Sequence, residues 1–306
     1  RTSLSGIASL PGGKELHGVT LRHEAWILPE TRAVFSISNT KSRPGFTLSQ
    51  FDVESQSFSW NAGFRWQMLR QRNQNLDLGV LLEYRNSDTD ILDTASTRDR
   101  IRAVRAKLNY DGRDPFKGFN IVNLTLSRGI KGLGANNDGD PNLSRPAAGP
   151  DFTVINARWQ RQQFIAPDWL LTSILDGQKS SNALLASEEF GFGGPVLGRA
   201  YDASEITGDD GIAGSVEVSF TGLDPVWDIR MTPSVFYDIG KIWNHDDGQP
   251  DGLSAMSAGV GLSFFHPSGI NGGMSLALPL TKPLNTPVQG NNGKNPRLFF
   301  QIGKSL

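Results

Sequence analysis

The sequence predicts an all-β fold, a transmembrane antiparallel β-barrel of about sixteen strands, with residues 1–306 forming one barrel domain. Three observations predict it. Apolar and polar residues alternate with period two over many short segments, the pattern of strands with two chemically different faces. No apolar run approaches the ~18 residues a spanning helix needs, whereas a barrel strand crosses with ~9 to 11 residues of alternating character. The composition, with 34 Gly, four Met and no Cys, points away from a helical enzyme. It also removes disulfides, thiol nucleophiles and thiolate metal sites.

Along the chain the alternation is cleanest from 58 to 68, where Phe58, Trp60, Ala62, Phe64, Trp66 and Met68 oppose Ser59, Asn61, Gly63, Arg65 and Gln67. From 76 to 85, Leu76, Leu78, Val80, Leu82 and Tyr84 oppose Asp77, Gly79, Glu83 and Arg85, with Leu81 breaking the rule. Val122, Leu124 and Leu126 repeat the pattern, as do Met256 to Phe264 and Met274 to Leu280. Strands near 157 and 172 alternate weakly. Sixteen strands are expected, centred near residues 6, 23, 36, 49, 63, 80, 105, 124, 157, 172, 188, 216, 235, 259, 275 and 301. An even count suits a closed antiparallel barrel. With a periplasmic N-terminus, the polar connections 194–211, 244–252 and 281–296 lie outside, and 221–228 and 266–269 are inner turns. The long connections 87–97 and 131–151 then fall on the periplasmic side, against the usual asymmetry.

A soluble sandwich or lipocalin-like barrel is the competing reading, with the apolar face as its core. A sixteen-stranded soluble barrel would need a large apolar interior filled, and here Arg, Glu and Asn occupy the second face. A net charge of −1 gives no basic excess for nucleic acid. The chain opens on Arg1-Thr2-Ser3, the look of a mature or excised portion.

The most informative stretch is Phe190 to Val218, which sets Arg199 and Tyr201 in a Gly-rich loop between alternating strands. Phe236-Tyr237-Asp238-Ile239-Gly240 follows, an F-x-D-x-G string. A buried guanidinium needs a carboxylate, since removing one member of a buried pair costs about 3–5 kcal/mol. Parity puts Phe236, Asp238 and Gly240 on one face and Val235, Tyr237 and Ile239 on the other. Glu217 likewise opposes Val216 and Val218.

Gln178, Ser180, Leu184-Leu185, Ser187 to Gly194, Gly198-Arg199-Ala200-Tyr201-Asp202, Ser204 to Asp209 and Gly211 together resemble the C-terminal half of the ShlB/FhaC/HecB haemolysin secretion and activation proteins. These are the TpsB transporters of two-partner secretion, in one superfamily with the BamA insertase. The resemblance is strong over about 178–243. It implies an outer-membrane barrel whose sixth outer loop, about 194–211, folds into the lumen, where Arg199 meets Asp238 with Tyr201, Phe236 and Glu217 nearby. The motif glycines would be Gly193, Gly194, Gly198, Gly208 and Gly240. Ala200 stands where the family carries Gly, and a positive φ there would cost on the order of 1 kcal/mol or more. Leu306 stands where such barrels usually end in Phe.

The implied function is a pore in the bacterial outer membrane exporting an unfolded partner exoprotein, with no nucleotide, cofactor or metal and no catalysis. Arg65, Glu83, Arg105 and Lys107 would meet the extended chain through mixed charge. The partners would be the exoprotein, outer-membrane lipid and lipopolysaccharide, and periplasmic recruitment domains or a larger envelope complex, but no nucleic acid. The family's two periplasmic polypeptide-transport-associated domains are not expected within residues 1–306. Two alternatives are an insertase of the same superfamily, opening between the first strand around Leu4 to Leu10 and the last, and a barrel hydrolase using His245-Asp246-Asp247. For His245 a polar turn is the simpler reading. Glu188 and Glu189, as strand neighbours, would face opposite sides. Asp209-Asp210 and Asn136 to Asp140 read as solvated loops, the latter lacking calcium-loop spacing.

Overall fold

The computed structural model describes residues 1–9, 15–246, 248, 250–281 and 295–304. Asp247, the tip of the 281–296 connection, Leu10 and Leu306 lie outside the described residues. The chain forms two compact units, the first comprising 1–110, 123–156 and 180–189 and the second 111–122, 157–179 and 190–306. No helix among the described residues is long and apolar enough to cross a membrane.

The first unit is built on β1 (Thr2–Ala8), β2 (Leu16–Leu28), β3 (Thr31–Ser42), β4 (Glu54–Arg70), β5 (Gln74–Ile91) and β6 (Thr94–Arg113). Register turns the period-two alternation into transverse rows. Leu21, Ile37, Trp60 and Tyr84 fall on one rung, and Ala25, Ala33, Phe64 and Val80 on another of the same face. That face keeps Val19, Phe64 and Val80 half or more exposed. On the other face the rungs read Arg22, Ser36, Asn61, Glu83 and Thr20, Ser38, Ser59, Arg85. Apolar side chains left outward beside a polar inner face are the pattern of a lipid-facing sheet. The unit's buried apolar cluster lies under its loops: Leu143, Ala148, Leu184 and Leu185 pack on Ile101, Ala103, Phe152 and Val154.

The strands β7 (Phe119–Gly129) and β8 (Thr153–Ala166) contribute residues to both units. The second unit then carries β9 (Trp169–Ser180), the short β10 (Phe190–Phe192) and β11 (Ile206–Gly208), β12 (Asp210–Phe220), β13 (Arg230–Trp243), β14 (Gly252–Phe265), β15 (Ile270–Pro279) and β16 (Arg297–Lys304). Val218, Val235, Val260, Leu276 and Leu298 form one apolar rung. Its neighbour on the opposite face is Glu217, Phe236, Gly259, Ala277 and Arg297.

Among the described residues sixteen strands form, fourteen of them in one sheet that follows sequence order, while β10 and β11 pair with each other in a separate ribbon. Two expected strand positions are corrected. Residue 49 lies in a 3-10 turn, Phe46–Phe51, and residue 188 in another, Ala186–Glu188. Removing the strands at 49 and 188 together repairs the loop asymmetry, because an antiparallel meander sends alternate connections to opposite ends. In the first unit the connections 43–53 and 130–152 lie at the end opposite the turns 29–30 and 71–73. In the second unit the connection between β13 and β14 lies opposite the turns 221–229 and 266–269. The expected loop 87–97 is instead a hairpin turning on two residues, Leu92 (φ 49°) and Asp93 (φ 57°), a pair of positive φ values that matches strand twist. Arg98 and Arg100 pair with Asp88 and Asp90 across it, which suits strands that outrun the ~9–11 residues a bilayer requires.

Candidate functional site: a loop latched to the sheet

The loop between β10 and β11 folds onto the polar face of the second unit because its own ribbon packs there. Phe192 is fully buried with Phe190, Tyr201, Ile206, Phe236 and Ile242. Gly240 makes room for it: a Cβ at that position would sit 2.3 Å from the Phe192 ring. At Gly198 the backbone takes φ 77°, and a Cβ would meet Phe192 at 2.7 Å. Left-handed backbone also falls at Gly193 and Gly194, and Ala200 does not take it. The Ala200 departure therefore carries no positive-φ strain.

Arg199 is delivered by this turn. Its backbone N–H donates to Asp238 Oδ2 at 3.0 Å, Nε to the same oxygen at 3.1 Å, and Nη2 to Oδ1 at 2.9 Å. Nη1 pairs with Glu217, Nη2 also donates to Ser215 Oγ at 3.1 Å, and the guanidinium carbon lies 3.3 Å over the Phe236 ring. Asp238 is wholly buried. Register supplies its other donors: Ser215 and Ser257 are its cross-strand partners, and their hydroxyls donate at 2.7 and 3.2 Å. Burial opposes the Arg199 charge, but Asp238 and Glu217 outweigh it and raise its pKa above the ordinary value.

Tyr201 adds a second fastening, its hydroxyl donating to the Met256 carbonyl at 2.9 Å and lying 3.0 Å from Thr281 Oγ1. A third is Asp202, which accepts from Arg297 of β16 at 2.5 Å. Burial, then the nearby Asp202, raises the Glu205 carboxyl above its usual range. A cavity of about 410 Å³ borders the latch, with Arg199, Glu217, Ser234, Ser263, Ser275 and Gln301 in its lining.

The structure thus brings together Arg199, Tyr201, Glu217, Phe236 and Asp238, with Gly198 and Gly240 at the close approaches. Ser215 and Ser257 were missed, although Asp238 needed donors and only register was lacking to name them. Arg297 left no signal in the sequence. In the first unit, Glu188 ends a 3-10 turn and Glu189 caps it, rather than both lying on a strand, yet they still diverge. Glu188 meets Arg105 at 2.7 Å and Arg85 at 3.3 Å, while Glu189 meets Arg145 at 3.0 Å. Arg105 also pairs with Glu83 at 2.5 Å, so Glu83 and Arg105 hold a loop, where the sequence suggested contact with a passing chain. His245 Nε2 lies 2.9 Å from Asp210 Oδ2 and its backbone N–H donates to Asp209 at 2.8 Å. That geometry ties a turn to the end of β12.

The family described as haemolysin secretion/activation protein ShlB/FhaC/HecB matches residues 25–264, most of the chain. The chain belongs to this family. Its fold is that of the family's outer-membrane β-barrels, and the bacterial outer membrane is its location. Among solved structures it is similar to CdiB from Escherichia coli (16% identity, TM-score 0.75) and CdiB from Acinetobacter baumannii (15%, 0.69), covering 94% of this chain in each and 52% and 50% of those chains. The crystal structure of BamA from Haemophilus ducreyi lacking POTRA domains 1-3 is similar at 11% identity and TM-score 0.65, over 94% of this chain and 62% of that one. The chain therefore spans about half to three-fifths of these proteins, and at such identity they establish fold alone. No curated protein sequence matches it.

Proposed function

We propose that this chain is the translocating barrel of a two-partner secretion system, a pore through which an unfolded exoprotein leaves the cell. The observation that carries the reading is the Arg199–Asp238 latch. It is a loop fastened to the polar face by a multiply bonded guanidinium and two lesser anchors, Tyr201 and Asp202, in a chain whose family is one of secretion and activation. Such a plug leaves the pore when its few anchors release, and no nucleotide or cofactor is required. Folding of the passenger outside supplies the driving force. Recruitment falls to periplasmic domains or an envelope partner, and the surrounding lipid and lipopolysaccharide act as solvent for the apolar face. No catalytic role is assigned to any residue; His245 serves its turn.

The test is a deletion strain assayed for a co-encoded exoprotein in the medium. Complementation with the wild-type gene restores secretion, and continued secretion without the gene refutes the reading. An insertase is the second reading, favoured by one feature: among the described residues β1 and β16, which end the sheet, are its shortest strands at seven and eight residues. Faster insertion of barrel clients into liposomes that contain the protein, with no export, would establish it instead.

A further inference from the structure

On the polar face of β1 to β4, three guanidinium groups converge on one carboxylate. Glu24 Oε1 lies 2.5 Å from Arg22 Nη2 and 4.0 Å from Arg65 Nη1, and Oε2 lies 3.3 Å from Arg32 Nη1. Arg32 stands opposite Arg65 in the ladder and rests on the Trp26 ring at 4.0 Å, which orients it. The carboxylate lies beneath, with 13% of its side chain exposed, and the arginines reach outward with 47%, 32% and 34% exposed. They face a cavity of about 270 Å³ lined by Arg1, Ser3, Arg22, Glu24, Arg32 and Arg65.

The charges do not balance. Among the described residues Glu24 is the one carboxylate within ion-pair distance of these three arginines, so two positive charges are left over. Arg105 in the same unit shows the contrasting arrangement, one guanidinium held by Glu83 and Glu188. A cluster serving only to hold strands together gains nothing from surplus like charge, which repels. A surplus facing an open cavity suits an anion that arrives from outside, and forked guanidinium donors match carboxylate geometry. The charged groups lie close together: the Arg22 and Arg65 donors are 2.5 and 4.0 Å from the same Glu24 oxygen and Arg32 is 3.3 Å from the other, near enough for one incoming carboxylate to meet more than one of them.

We propose that this cavity is a binding site for an Asp or Glu side chain of a polypeptide passing along the polar face. That the carboxylate belongs to an exported polypeptide rests on the function proposed above; the carboxylate site itself does not.

The experiment is fluorescence anisotropy of labelled octaglutamate and octalysine peptides with the chain in neutral detergent micelles at low salt. Octaglutamate is expected to bind, with affinity at least tenfold weaker for the R22A/R65A double variant and largely retained for R22K/R65K; octalysine is expected not to bind. The lysine variant keeps the charge, so the comparison stands even if the alanine variant folds poorly, and heat-modifiable gel mobility reports folding in each case. Equal octaglutamate affinity in a folded R22A/R65A variant overturns the proposal, as does equal binding of octalysine. Competition by inorganic phosphate at concentrations that already abolish octaglutamate binding without added salt effect reassigns the cavity to a small anion and overturns it too. A strain that exports nothing while its purified protein binds octaglutamate refutes the export reading and leaves the site. Full export by R22A/R65A despite lost peptide binding leaves the export reading and overturns assignment of the site to the passenger.

Discussion

Replacing Arg199 by Ala removes the cation that fastens the loop and leaves Asp238, wholly buried, with only the Ser215 and Ser257 hydroxyls among its side-chain donors. Breaking a buried pair by deleting one partner costs about 3–5 kcal/mol. The upper part of that range applies here, because Asp238 loses two charge-assisted hydrogen bonds and Glu217 loses its partner as well. The backbone N–H of residue 199 still donates to Asp238 while the loop stays docked. Removing Asp238 instead leaves Arg199 with Glu217, 29% exposed, and falls nearer the lower end, about 3 kcal/mol. A shift of 3 kcal/mol moves the docked-to-undocked ratio by roughly two orders of magnitude. Single-channel recording and limited proteolysis of residues 193–205 read this ratio directly. Arg199→Ala is expected to raise conductance and expose the loop to protease, Asp238→Asn to do so less, and Arg199→Lys to fall between Ala and the wild type because an ammonium keeps the charge but cannot make the forked contact. Unchanged conductance together with unchanged protection in Arg199→Ala would refute the latch.

Gly240→Ala places a methyl 2.3 Å from the Phe192 ring, so the β10–β11 ribbon must shift, at about 1–3 kcal/mol for overpacking; the variant should gain loop proteolysis with little change in the temperature at which the barrel unfolds on a gel. Glu188→Gln takes the charge-assisted bonds from Arg105, which keeps Glu83, and about 1.5–3 kcal/mol of loop anchoring in the first unit is expected to go, read as faster amide exchange over 181–189. At the 114–118 turn, Arg161, then Asn120 and the Gly118 amide, hold the Asp114 carboxyl down to about 2. A carboxyl depressed in the fold stabilises it above the unfolded value near 3.9 and loses that contribution as pH falls from there through about 2. A carboxyl-carbon titration of Asp114 should therefore have its midpoint near 2 in the folded chain, and a midpoint near 4 contradicts the hydrogen-bonded turn.

The fold was legible in the strands where one face meets lipid and the other does not, as in Phe58 to Met68, because that difference is chemical and local. It was misread at residue 49, where Phe46, Leu48 and Phe51 give an apolar spacing without a partner strand, and at 188, where a two-strand ribbon replaces a wall strand. Both errors concern pairing, which alternation does not encode. The latch was legible because a buried arginine demands a carboxylate and parity left Asp238 on the right face. Its serines and the Arg297 tether were not, since they depend on which residues stand opposite one another across strands. The Glu24 cluster was illegible for the same reason: Arg22, Arg32 and Arg65 lie on three strands and meet only once register is set.

The central claim is that a polypeptide passes along the polar face, and the most direct test is a photo-crosslinker placed at Asn61 on that face or at Phe64 on the apolar one. With the exoprotein stalled during export, crosslinks to it are predicted from residue 61 and none from residue 64. Crosslinks from neither position, or from 64 alone, would contradict the account.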